Sequence, residues 1–191
     1  NELQKMNIDL GKIQRLCASY NEECGHIGCA LSHIACLDIA IEKEYNNILI
    51  LEDDFVFTTD LINLNQKLNI LFKDNNWEVT LLAGLVNCDQ NKMKENETLM
   101  AKSVLKRTKN CSTTSGYIVR KRYFEKLKSC FEEAVKYLNN ELLIHKDVMK
   151  IRKITSPEKA SSKHPGIKLQ FNCTAIDRHW YRLQEKDIFY I

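Results

Sequence analysis

Four consecutive apolar residues, Ile48 to Leu51, run directly into three consecutive acids, Glu52, Asp53 and Asp54. A continuous apolar run reads as a central β-strand covered on both faces. Negative charge massed at the tip of a buried strand is costly unless a cation or a donor-rich ligand neutralises it. The stretch therefore reads as a metal-and-substrate site, set against the plainer reading of a solvated acidic turn. Upstream, apolar residues at 27, 31, 34, 37 and 41 follow helical spacing, and Gly25 and Gly28 let the start of that helix approach a neighbour closely. A helix that feeds a strand, with its N-terminus towards a ligand-sized space suited to an anion, predicts an α/β fold.

The rest of the chain fits that class. A short helix over Leu3 to Met6 and a strand around Ile13 to Ala18 are expected at the start. Asp60 to Phe72 carries leucines at 61, 64, 68 and 71, a helical stripe, and Val79 to Ala83 is a second buried strand ending at Gly84. Residues 86–101 read as a polar loop over the site. Lys102 to Lys106 and Ser115 to Val119 read as strands, Arg122 to Leu138 as a helix with Phe124, Leu127, Phe131, Val135 and Leu138 on one side, and Asn140 to Met149 as a further helix. Beyond Ile154 no period is legible. Trp77 and Trp180 read as core anchors before sugar-stacking platforms.

A chain of 191 residues suits one domain with a sizeable core, here 1–191, with 156–191 an irregular C-terminal segment. No apolar run reaches the roughly 20 residues that span a bilayer, and the start lacks a signal-peptide core, so a cytoplasmic location is expected. A net charge of +3 is too mild to imply nucleic acid. Basic residues gather between Lys102 and Lys128 and between Lys146 and Lys168, which would suit a phosphate-bearing substrate or merely solvated helix faces. The eight cysteines are too sparse for a disulfide scaffold. Cys24, His26, Cys29, His33 and Cys36 match none of the usual zinc spacings, and the helix needs Cys29 and Cys36 as small apolar residues.

Taken together, GHIGCALSH, ILILEDDFVF and TTSGYIVRKRYFEKL resemble glycosyltransferase family 25, which contains lipopolysaccharide-core and collagen sugar transferases. The similarity runs from about Leu3 to Lys150. It implies a GT-A type, Rossmann-like nucleotide-sugar fold with a central mostly parallel sheet flanked by helices. It also implies a divalent metal, usually manganese, and inverting transfer of a hexose from a UDP-sugar to a glycan or hydroxylysine-type protein acceptor. A homodimer is compatible with it. The family normally opens with a further strand that nothing before Leu3 supplies, and the expected reason is that the sequence shown begins after it. The contrasting reading is a non-catalytic sugar- or nucleotide-binding relative.

The resemblance places the DxD-like metal motif on Glu52, Asp53 and Asp54, with Asp54 as metal ligand, Glu52 on the ribose side and Asp53 beside the nucleotide-sugar. Such chemistry needs a hard cation on carboxylate oxygens to neutralise the leaving diphosphate. It also needs a base for the acceptor hydroxyl. Asp147, in LLIHKDVMK, matches the family's acid after the Thr-x-x-x-Tyr segment, with Asp177 and Glu141 as alternatives. His179 is a candidate extra metal ligand or phosphate contact. Ser32 and His33 fall beside the nucleotide or else serve helix–sheet packing, and Thr114 and Tyr117 line the sugar or acceptor pocket or else simply belong to a core strand.

Overall fold

In the computed structural model, residues 2–86, 105–151 and 174–191 are described. The expected polar loop, but for Val86, and the stretch 152–173 lie outside them, as do Cys88 and Cys173. In chain order the helices are α1 (Glu2–Lys5), α2 (Gly25–Glu42), α3 (Leu61–Lys73), α4 (Phe124–Ile151), α5 (Ile176–His179) and α6 (Tyr181–Lys186). The strands are β1 (Asn47–Leu51), β2 (Val79–Leu81), β3 (Leu85–Val86), β4 (Cys111–Ser112), β5 (Gly116–Arg120) and β6 (Phe189–Tyr190).

The main sheet has the order β1-β5-β2-β6, and β3 pairs with β4 in a separate ribbon. β5 runs antiparallel to both β1 and β2, with Leu51 opposite Gly116 and Val79 opposite Val119, whereas β2 and β6 are parallel. Three strands thus share one direction, but the reversed β5 lies between two of them. The mostly parallel sheet expected from the resemblance is therefore a mixed sheet, in which two of the three pairings are antiparallel.

Side-chain alternation along β5 divides the core. Tyr117 and Val119 join Ile50, Val79 and Leu81 on the face packed by α2 and α4, where Leu37, Phe124, Leu127 and Phe131 are also buried. Ile118 points the other way, to Leu71, Trp77 and Tyr190 beneath α3. Asp60 caps α3 by accepting a hydrogen bond from the Asn63 amide at 2.8 Å. Trp77 is fully buried, donates from Nε1 to the Leu71 carbonyl at 2.8 Å and carries the Arg120 guanidinium 4.3 Å above its ring.

Several sequence expectations change. Among the described residues β1 is an edge strand that pairs with β5 alone, and Leu49 is 43% exposed. The buried face of α2 is Ile27, Ala30, His33, Leu37 and Ala40, while Leu31 faces solvent, a rotation that brings a histidine inward. Ile13 to Ala18 pairs with no strand among the described residues. The two helices expected between 122 and 149 are one, because Asn139 and Asn140 are tolerated in a helix held by packing on both sides. The tail beyond residue 174 is ordered into short elements that bury Trp180 and Phe189 fully; pieces of four, six and two residues are too short to show a period.

Among the described basic residues of the first cluster, Arg122 pairs with Glu78, Lys126 with Asp187 and Lys128 with Asp38, while most of the stretch from Lys146 to Lys168 lies outside the described residues. No helix among the described residues is long and apolar enough to cross a membrane.

Gly28 is the tightest backbone contact near the acids. A Cβ there would stand 2.4 Å from the Ser19 carbonyl oxygen, whereas one at Gly25 meets nothing within 4 Å. Gly28→Ala is expected to lower stability by about 1–3 kcal/mol from the backbone clash, although alanine favours a helix interior by about 1 kcal/mol. Gly25→Ala is expected to be neutral or slightly stabilising. Paired denaturant titrations read the contrast, and equal stabilities would refute the close approach.

Candidate functional site

The acidic turn is anchored by the end of the sheet. Past the last β1–β5 pair, the Glu52 amide donates to the Ser115 carbonyl at 2.8 Å, so Glu52 extends the ladder by one residue. The Phe55 amide then donates to the Glu52 carbonyl at 3.1 Å, which closes a turn over Asp53 and Asp54. The Phe55 ring lies against Gly116, where a Cβ would come within 2.3 Å of it. The glycine of TTSGYIV is thus the seat for the residue that follows the acids.

Glu52 faces a built polar pocket. Its Oε1 accepts from Thr114 Oγ1 at 2.7 Å and lies 3.2 Å from His33 Nε2. His33, on α2, is 4% exposed, and its Nδ1 is 2.7 Å from Tyr117 Oη. The His33 ring stacks on Tyr117 with centroids 5.6 Å apart and meets Phe131 of α4 edge-on. The hydrogen bond with His33 holds the Glu52 carboxyl below its ordinary pKa in spite of partial burial, and the Thr114 hydroxyl adds to this. Full burial pushes the Tyr117 phenol well above its usual value. The Cys29 thiol belongs to the same pocket: burial, then the charges of Glu52 and Asp177, push it up to about 11.

Thr114 is delivered to Glu52 by a strained neighbour. Thr113 has φ 90°, a region that β-branched residues rarely adopt. Its hydroxyl donates to Ser115 Oγ at 3.1 Å and accepts from the Ser115 amide at 3.3 Å. Such conformations cost on the order of 1–3 kcal/mol and gather at functional positions.

Asp53 and Asp54 are exposed, and neither carboxylate takes a hydrogen bond or an ion pair among the described residues. Two adjacent, solvated carboxylates are hard oxygen donors of the kind a magnesium- or manganese-like cation accepts.

The remaining expected residues are placed differently. Ser32 Oγ donates to the Gly28 carbonyl at 2.9 Å and accepts from the Ser19 amide at 2.8 Å, so this hydroxyl ties residues 19–21 to α2. Tyr117 is fully buried because β5 lies inside the sheet, the core-strand alternative, and its hydroxyl is linked to Glu52 through His33. His179 is not brought to the acids; its ring tilts on Tyr137 of α4, and burial followed by the Arg182 charge lowers its pKa. Glu141 accepts from Thr174 Oγ1 at 2.6 Å. Asp147 is exposed far along α4: Phe131 lies beside His33, and sixteen residues of helix, about 24 Å, separate the two. Asp177 lies on α5, three residues before Trp180, whose ring packs on Tyr117 and on Phe131.

Sequence reasoning missed the His33–Tyr117 link and the place of Cys29. The i,i+4 spacing of Cys29 and His33 puts both on one face of α2 and was the available signal. Nothing in the sequence announces the strain at Thr113.

Comparison with known proteins agrees with these motifs. The family model of glycosyltransferase family 25, described as an LPS biosynthesis protein, matches residues 12–148. That span contains α2, the acidic turn and the Thr114–Tyr117 segment, and it stops before Asp177 and His179. No curated protein and no solved structure gives a significant match. With most of its length matched, from the strand-tip acids to the helix that backs them, the chain belongs to glycosyltransferase family 25 and is a glycosyltransferase.

Proposed function

We propose that the chain is a metal-dependent, inverting hexosyltransferase of GT-A type, working as a single domain over 1–191, which moves a hexose from a UDP-sugar to a hydroxyl of a glycan or of a hydroxylysine-type protein acceptor. The observation that carries this reading is the division of labour among the three acids: Glu52 is fixed by Thr114 and His33, while Asp53 and Asp54 have no protein partner among the described residues. A carboxylate fixed in one rotamer suits an orienting contact to a ribose hydroxyl. Both protein hydrogen bonds fall on Oε1, and Oε2 is left for that contact.

Asp54, with Asp53 beside it, is the proposed holder of the cation. A divalent ion bound there with diphosphate oxygens would supply Lewis-acid neutralisation of the leaving group. The chain's own residues do the rest. The acceptor hydroxyl attacks the anomeric carbon from the face opposite the diphosphate, a C–O bond forms as the C–O bond to diphosphate breaks, and the hydroxyl proton passes to a carboxylate. Asp177 is the base we favour, because it stands three residues before Trp180, whose ring packs on Tyr117, whereas Asp147 stands some turns of α4 away from the Glu52 pocket. Family similarity favours Asp147 instead, so the two acids form a natural paired test.

Asp54→Ala is expected to lower manganese-dependent UDP-sugar turnover on the order of a hundred-fold or more, equivalent to ~3 kcal/mol of lost charge stabilisation. Unchanged turnover in a screen of UDP-sugars would remove Asp54 from the metal site. Asp177→Asn is expected to cost about 10²–10⁴ in kcat with donor binding retained, and Asp147→Asn much less; the reverse order would return the base to Asp147.

Glu52 also gives a pH prediction. Its folded pKa is depressed, so the stability it contributes is present above the unfolded carboxylate value of about 4.3 and is lost as pH falls through the lower folded value. Glu52→Gln should lower Tm at neutral pH and narrow the gap to the native chain in acid. A gap that stays constant down to about pH 3 would contradict the depressed value.

A further inference from the structure

We propose that Cys29, His33 and Glu52 form a binding site for a borderline-soft divalent cation of the zinc class, separate from the hard-cation position at Asp53 and Asp54. The ligand atoms of these three side chains all lie within 4.8 Å of one another. A tetrahedral zinc with bonds of about 2.0–2.3 Å holds its ligand atoms roughly 3.3–3.6 Å apart, so small rotamer adjustments close the set. His33 Nε2 and Glu52 Oε1 are already 3.2 Å apart.

The geometry around the three groups is that of a supported metal site. Cys29 and His33 are one helical turn apart on α2, and Glu52 comes from the tip of β1. The His33 ring is oriented through its other nitrogen: with the proton on Nδ1, it donates to Tyr117 Oη at 2.7 Å and presents the Nε2 lone pair to the cation. Thr114 Oγ1, at 2.7 Å, orients the Glu52 carboxylate in the same way. Glu52 is 33% exposed at its side chain, which leaves an entry path and a fourth position for water. Binding shifts the His33 proton from Nε2, where it is donated to Glu52 in the free chain, to Nδ1, releases one proton, that of the Cys29 thiol, and replaces the hydrogen bond between His33 and Glu52 with two metal bonds.

Spacing rules applied along the sequence cannot find this set, because its carboxylate lies on a different element from the cysteine and histidine. The ligand chemistry also separates it from the donor cation: a thiolate and an imidazole prefer zinc, cobalt or copper, whereas Asp53 and Asp54 offer oxygen alone. The proposal stands on these three side chains and does not depend on the donor reading.

Cobalt is the probe. The full chain, stripped with a chelator and kept reduced, is titrated with Co²⁺ and followed by absorption. One equivalent is expected to bind with a thiolate-to-cobalt charge-transfer band and tetrahedral d–d bands, all bleached by Zn²⁺. The charge-transfer band should vanish in Cys29→Ser and persist in Cys36→Ser and in Asp54→Ala. Glu52→Gln, at the solvent side of the site, should weaken cobalt binding by about tenfold or more and serves if Cys29→Ser does not fold. No thiolate band, a band untouched by both Cys29→Ser and Glu52→Gln, or a band lost in Cys36→Ser overturns the assignment. A band lost in Asp54→Ala would do the same, because it would make the two cation positions one.

Discussion

The pocket depends on one carboxylate held across two layers. Glu52 leaves the end of β1 and is gripped by Thr114 before β5 and by His33 on α2. A half-buried charge is tolerated only when its oxygens are hydrogen-bonded, and this one is satisfied by groups from both sides of the sheet–helix boundary. The arrangement continues inward: Tyr117 fixes His33, and Trp180 closes on Tyr117 edge-to-face at 5.5 Å. A polar contact at the surface is thus braced by the centre of the core, and residues 174–191, which contribute Trp180, are part of that brace.

The same economy of space explains the glycines. Gly28 lets the chain at Ser19 lie against α2, and Ser32 then bonds it there. Gly116 admits the Phe55 ring and so holds the far end of the acidic turn. Asp53 and Asp54 project from a turn whose two ends are pinned, one by the ladder hydrogen bond of Glu52 and the other by Phe55. Among the described residues the two carboxylates take no protein partner, so they are not spent on the fold.

Three chemically different groups, a thiol, an imidazole and a carboxylate, meet at one point of this pocket. Only the carboxylate is needed by the donor chemistry as proposed. The cysteine and histidine stand within reach of that carboxylate at the α2–β1 junction.

What the sequence determined by itself was local and chemical. The strand-tip acids, the helices α2 and α3, the buried strand β2, the tryptophan anchors and the family were legible because each rests on short-range pattern or on motif. The tertiary structure decided what depends on partners far apart in the chain. The direction of β5 between β1 and β2 made the sheet mixed, since pairing direction follows from chain path and not from composition. The inward turn of His33, the burial of Tyr117 and the distance along α4 to Asp147 arise from how helices seat on that sheet. Glu52 and Thr114 are 62 residues apart, and only the fold brings the acid and the hydroxyl within one hydrogen bond.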